Sequence, residues 1–176
     1  MSYSGSELPE PPKLTRDMEN GWILEDNIRI ASFRVKTFQI FVDRLRSIAG
    51  AHVADLLLEK MGEAMGEAAM QERKNAIHSD EDLWKAFDRV VSIRGSGRCF
   101  GMTRSTKDSE TTYVFKMKGT LLSHERRATE PTCHIIRGTI RGWTEAYLNK
   151  KASKSVETEC ASTGSSSCVF EVTFKD

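Results

Sequence analysis

The spacing of apolar residues changes period several times along the chain, and each change marks an element. Trp22-Ile23-Leu24 and then Ile28 and Ile30 flank the acidic-amide step Glu25-Asp26-Asn27, the pattern of a strand or small hairpin. From Phe33 the period lengthens. Phe38, Phe41, Val42, Leu45 and Ile48 keep helical spacing up to a stop at Gly50, with Val35 and Ile40 outside the stripe. A second helix, 52–75, has Val53, Leu56, Leu57, Met61, Ala64, Met65, Ala68 and Ala69 as its apolar face. Gly62 and Gly66 fall four apart on one side of it. A glycine inside a helix costs about 1 kcal/mol relative to alanine, so the pair predicts a closely packed partner. A third helix starts at Ser79, with Asp82 three residues on as in a capping box, and Trp84, Phe87, Val90 and Val91 form its stripe.

After Arg94 the period shortens to two. Three glycines in seven residues break the helix, and Cys99, Phe100 and Met102 begin a strand. In 110–119, Tyr113, Phe115 and Met117 alternate with Thr112, Val114, Lys116 and Lys118, which completes an antiparallel hairpin. A last helix is expected from Glu130-Pro131, with Ile135, Ile136, Thr139, Ile140, Trp143, Ala146 and Tyr147 on its apolar side. Gly138 and Gly142 repeat the four-residue glycine spacing. Val156, Thr158 and Cys160, then Cys168, Phe170, Val172 and Phe174, make a closing hairpin. The order β-ααα-ββ-α-ββ defines an α+β fold, an antiparallel sheet packed against a helical layer. Residues 1–20 are polar, hold three of the four prolines and read as a flexible tail; residues 21–176 read as one domain.

Charge adds little. With 26 Lys+Arg against 25 Asp+Glu, the net charge of +1 gives no broad attraction to polyanions, and direct nucleic-acid binding is not expected. No run approaches the ~18 apolar residues of a membrane span, and the N-terminus lacks the apolar core of a signal peptide. A cytoplasmic location is expected, where thiols stay reduced. No G-x-G-x-x-G fingerprint or nucleophile–base pair has the spacing of a known motif, which weighs against an enzyme.

The cysteines then become the chemistry to follow. In "ETECASTGSSSCVFEV", residues 157–172, Glu157 and Cys160 stand on one side of a short polar loop and Cys168 on the other, while Cys133 lies at the predicted helix start. Three thiolates and a carboxylate can close a tetrahedral metal shell. Strand parity puts Glu157 and Cys160 on opposite faces, so both reach one ion only if the strand ends or bulges near Glu159. A Cys160–Cys168 disulfide, suited to an oxidising compartment, and buried apolar thiols are the competing readings. His134 points about 100° away from Cys133 on a helix, so one of the two reaches an ion, and the cysteine is preferred. Cys99 has no partner by spacing and reads as core or pocket lining. His52, His78 and His124 sit in polar contexts and read as solvated.

"CHIIRGTIRGW…VETECASTGSSSCVFEV" resembles the signature of the 4-vinyl reductase domain family: a Cys, two helical Gly four apart, Glu-x-x-Cys, a Gly, another Cys and an aromatic-rich strand. The match is tight over 133–174 and extends loosely to "IRGSGRCFGM" and the Gly62/Gly66 helix. The resemblance implies a fold shared with the ligand-sensing domains of phenol- and xylene-responsive bacterial regulators and, more distantly, with TRAPP small subunits. It implies a structural zinc on Cys133, Glu157, Cys160 and Cys168, a small hydrophobic or aromatic ligand, and a homodimer. The reductase label does not by itself establish enzyme chemistry.

Two placements follow. The ligand pocket is expected between the last helix and the strand 110–119, with Tyr113, Phe115 and Met117 as one wall and Gly138, Gly142 and Trp143 as the other. The glycines would leave an apolar gap there. Trp84, Phe100 and Tyr147 would serve equally as lining or as ordinary core. The homodimer is expected through the N-terminal helices, because Val35 and Ile40 add apolar surface outside the main stripe. The function expected is a zinc-stabilised small-molecule-binding domain, a sensor or carrier. The alternative is a TRAPP-like protein–protein interaction module without ligand.

Overall fold

The structure, a computed structural model, describes residues 13–25 and 28–175, which fall into two compact units divided between Arg34 and Val35. The first twelve residues of the expected tail and the Asp26-Asn27 turn lie outside the described residues.

The first unit is an antiparallel meander of β1 (Leu14–Asp17), β2 (Trp22–Glu25) and β3 (Ile28–Ile30). β2 and β3 are the expected pair, and β1 is an extra strand within the stretch read as a tail. Its apolar pattern is too weak to announce it; the turn after it sets the pairing. Asn20 donates from its backbone N and its Nδ2 to the Asp17 carboxylate at 3.0 and 2.8 Å, and Gly21 takes a positive φ of 67°.

The second unit opens with α1 (Val35–Ala49), α2 (Ala51–Gln71) and α3 (Asp80–Ile93). Ser79 caps α3 as expected, its Oγ accepting from Asp82 N at 3.1 Å. β4 (Arg98–Lys107), β5 (Glu110–Lys118), α4 (His134–Leu148), β6 (Lys154–Glu159) and β7 (Cys168–Lys175) follow. The sheet order is β4-β5-β7-β6, antiparallel throughout. The α+β class and the expected order hold, with β1 added.

Alternation places one face of β5 and β7 in the core, where Phe115 pairs with Phe170, Tyr113 with Val172 and Met117 with Cys168. Phe87 of α3 meets the rings of Phe115 and Trp143 edge-on at 5.5 and 5.7 Å, joining α3 and α4 to the sheet.

α2 and α4 pack backbone to backbone. A Cβ at Gly62 or Gly66 would overlap the carbonyl of Ile135 or Thr139, and one at Gly138 or Gly142 would overlap that of Glu59 or Glu63. The two glycine pairs are each other's close partner. Arg137–Glu59 and Arg141–Glu63 ion pairs run beside this seam.

This packing overturns the expected orientation of α2. Its buried residues are Ala54, Leu58, Gly62, Gly66, Ala69 and Met70. Val53, Leu56, Leu57, Met61 and Met65, the stripe that periodicity assigned to the core, are 41–50% exposed. Phe41 and Ile48 of α1 are likewise exposed. Gln39 turns inward instead, its Nε2 donating to the Leu121 and His124 carbonyls at 3.1 and 3.0 Å.

Candidate metal centre

The start of α4 is set by its loop, not by Pro131. Thr132 Oγ1 donates to Leu122 O at 3.2 Å and to Ser162 Oγ at 3.1 Å, which holds the chain out of the helix. Cys133 becomes the N-cap, and its N–H donates to Glu157 Oε2 at 3.0 Å. A carboxylate at a helix N-terminus complements the helix dipole. In β6 the register with β7 skips between Glu157 and Glu159. This irregularity breaks strand parity and brings Glu157 and Cys160 to one side, as the sequence argument required. The strand ends at Glu159. A 3₁₀ turn, Ala161–Thr163, then closes through Gly164 at φ 107°. Thr163 N and Ser165 N both donate to Cys160 O, at 3.1 and 3.2 Å, and the turn returns the chain to Cys168.

The four side chains converge. Cys133 Sγ lies 3.8 Å from both Cys160 Sγ and Cys168 Sγ. One ligand atom from each of Cys133, Glu157, Cys160 and Cys168 lies within 4.8 Å of all the others, and all four residues are buried. A tetrahedron with arms of about 2.3 Å has edges of about 3.8 Å, so the sulfurs stand at the separation that a shared ion demands. A disulfide needs roughly 2.05 Å, and all four cysteines of the chain are free. Glu157 Oε1 is buried and has no hydrogen-bond partner among the described residues. This oxygen and the three sulfurs make a donor set that fits a cation.

The electrostatics agree. Burial, and then the neighbouring Cys160 thiol, lift the Glu157 carboxyl to about 8. Hydrogen bonds to Cys160 and Cys168, then burial, push the Cys133 thiol up. Cys160 is driven strongly down, because Cys133 and Cys168 both donate to it. At Cys168 the bond to Cys133 pulls down, while the bond to Cys160 and burial push up and prevail. Left to themselves, four buried acids share about one negative charge. A divalent cation would reverse that by deprotonating all of them.

A shell of donors surrounds the sulfurs. Thr120 Oγ1 lies 3.0 Å from Cys133 Sγ and Ser162 Oγ 3.0 Å from Cys160 Sγ, and Ala161 N donates to Cys168 Sγ at 3.4 Å. Such contacts orient metal ligands. Sequence reasoning missed these hydroxyls; the only cue is Ser162 two residues beyond Cys160. With four protein ligands the shell is closed, and a closed shell braces structure and leaves no position for a reacting water.

The remaining predicted residues separate from this cluster. His134 turns to α2, its Nε2 3.3 Å from Asp55 Oδ2. Cys99 is buried in β4, its thiol pushed up to about 12 by burial. Tyr113, Phe115, Met117 and Trp143 are core residues, at most 1% exposed. Gly138 and Gly142 do not face a gap against β5: the α2 backbone occupies their side of α4. An apolar recess of about 30 Å³ opens elsewhere, between α2, α3 and α4. Phe100 is exposed beneath Lys118, whose Nζ is 5.2 Å from the ring centre. Trp84 and Tyr147 are half-buried. Among the described residues no helix is long and apolar enough to cross a membrane.

The stretch that holds the cluster, residues 115–174, matches the family model of the vinyl-4-reductase domain. The resemblance to the 4-vinyl reductase domain family therefore stands, and all four cluster residues fall inside the matched segment. Among solved structures, the chain is similar to the phenol-responsive sensory domain of the transcription activator PoxR with phenol, at 20% identity and a TM-score of 0.77, over 91% of this chain and 84% of that one. A vinyl-4-reductase family protein from Methanocaldococcus jannaschii is similar at 19% identity and a TM-score of 0.55, over 81% and 82% of the two chains. A trafficking protein particle complex subunit 3 from Naegleria fowleri, covalently bound to palmitic acid, is similar at 20% identity and a TM-score of 0.55, over 81% and 95%. No curated protein matches the chain. At these identities the solved structures establish a shared fold.

Proposed function

We propose that this chain is a zinc-stabilised domain that binds a small hydrophobic or aromatic molecule, as a sensor or carrier in a reducing, cytoplasmic setting. The observation that carries the reading is the buried cluster of Cys133, Glu157, Cys160 and Cys168 within the family-matched segment, on a fold similar to a sensory domain solved with phenol. Three thiolates and one carboxylate are a zinc donor set. When bound, zinc would supply the charge that lets these acids ionise together. Cys133 then ties the first turn of α4 to the β6–β7 hairpin, and the thiol-facing hydroxyls hold the ligands in place.

A homodimer is part of the proposal. Apolar surface of this extent on α1 and α2 is unusual for a monomer, and a second copy presenting the same stripe would cover it. The interaction-module reading draws on the same exposed stripe and on the solid core between α4 and the sheet. The trafficking-complex subunit of similar fold is itself bound to palmitic acid, so this fold and an apolar guest are compatible in both readings. Native mass spectrometry of the full chain separates them. The proposal expects a dimer with one zinc per chain and a ligand-bound mass after incubation with phenol. A dimer that holds zinc but takes up none of a panel of phenols, other small aromatics and fatty acids would leave the interaction module.

A further inference from the structure

Trp143 is among the largest fully buried side chains, at 0% exposure in the middle of α4, and its indole Nε1 has no acceptor among the described residues. Buried N–H groups are nearly always paired, so an orphan of this kind asks for a partner that is not a side chain. Trp143 also lines the apolar recess of about 30 Å³, with Ala69, Phe87, Val91 and Ile136. That space holds about two water molecules and is too small, as it stands, for an aromatic ring. One wall can yield: Met65 lines the recess and is 43% exposed. Methionine is unbranched and adapts its shape at little cost. The opposite walls cannot, because the glycine seam locks α2 against α4. Ile136 follows Cys133 by three residues on α4, so the metal cluster fixes the end of the helix that supplies this wall.

We propose that this recess is the ligand site, and that it selects small apolar molecules carrying one oxygen acceptor, such as phenols and ketones, over hydrocarbons of the same size. The inference rests on the ligand-binding reading above and moves the ligand from the face of the sheet to the space between α2, α3 and α4. The Trp143 indole N–H donates to the ligand oxygen, and Met65 swings outward to admit the ring.

The test follows the indole N–H signals of the full-length, metal-loaded protein by two-dimensional NMR, with Trp143 assigned by loss of its signal in Trp143→Phe. Phenol, cyclohexanone and toluene are titrated in turn. The Trp143 proton should move downfield with phenol and cyclohexanone, and both should bind about tenfold more tightly than toluene, the worth of one neutral hydrogen bond. Trp143→Phe should erase that preference. Ala69→Leu, which fills the recess, should weaken phenol binding at least about tenfold with metal content unchanged. If phenol binds while the Trp143 signal stays still, or if both variants bind all three probes as the wild type does, the location is wrong and the ligand-binding reading survives. If none of the probes binds, both fail. A Trp143 N–H held by one slowly exchanging water through every titration also overturns the proposal.

Discussion

The region from β5 to β7 and the α1–α2 layer use their apolar residues in opposite ways. In β5, α4 and β7 the periodic apolar residues point into one core, from Tyr113 and Phe115 to Trp143 and Phe174. In α2 the periodic stripe of Val53, Leu56, Leu57, Met61 and Met65 points outward, while two glycines point in. The first region is complete once its four buried acids have a cation. The second is complete in its contact with α4 but leaves its most apolar face uncovered. Periodicity reports that a face will be buried against something; it does not say whether the chain's own core or a second molecule does the burying.

Four variants break or sharpen that contrast, from the largest expected effect to the smallest. Cys160→Ser removes one of four ligands from a closed shell. It should abolish stoichiometric metal and destabilise the second unit by several kcal/mol, on the order of 3–5, as followed by urea unfolding with and without zinc. Gly138→Val drives a branched side chain into the α2 backbone and should cost about 3 kcal/mol, since neither helix can retreat. Its metal content should stay near one per folded chain, which separates seam from cluster.

Glu145 comes third. It is 7% exposed. Its Oε1 accepts from Arg141 Nε at 2.8 Å and Ala152 N at 3.0 Å, and its Oε2 accepts from Lys151 Nζ at 2.6 Å. Burial raises this carboxyl, but Lys151, Arg141 and the Ala152 amide outweigh it and hold it below its ordinary 4.5. With the folded value depressed, the stability it contributes is fully present above the unfolded value and is lost as pH falls through the folded one. Glu145→Gln should therefore cost about 1–2 kcal/mol at pH 7 and flatten the acid limb of a stability–pH curve below pH 4.5. An unchanged acid limb would mean that the Lys151 and Arg141 bonds do not form in solution.

Leu57→Glu should have the smallest effect on the fold, within about 0.5 kcal/mol, because the side chain is already half exposed. It should instead turn dimer into monomer in light scattering. A wild type that is monomeric at high micromolar concentration would contradict the idea that a second copy covers the stripe.

Much of this was legible in the sequence, for identifiable reasons. Period-two runs in β5 and β7 carry large alternating side chains and admit one register. Glu157, Cys160 and Cys168 lie close in sequence, and the condition set by strand parity, a bulge near Glu159, is met by the structure. The misses also have causes. β1 is held by an Asp17–Asn20 turn rather than by an apolar pattern. The start of α4 was misplaced by three residues because Thr132 is tied to Leu122 and Ser162, contacts between segments far apart in the chain. The glycine pairs announced close packing but not its partner, and so Gly138 and Gly142 were assigned to a pocket wall that α2 occupies.

The central claim is that Cys133, Glu157, Cys160 and Cys168 hold one zinc ion. X-ray absorption at the zinc edge, on the full chain purified without chelator, tests it most directly. The account predicts a four-coordinate site with three sulfurs at about 2.3 Å and one oxygen at roughly 2.0–2.2 Å. Protein that carries no zinc after purification and reconstitution, or a shell of nitrogen and oxygen alone, would contradict it.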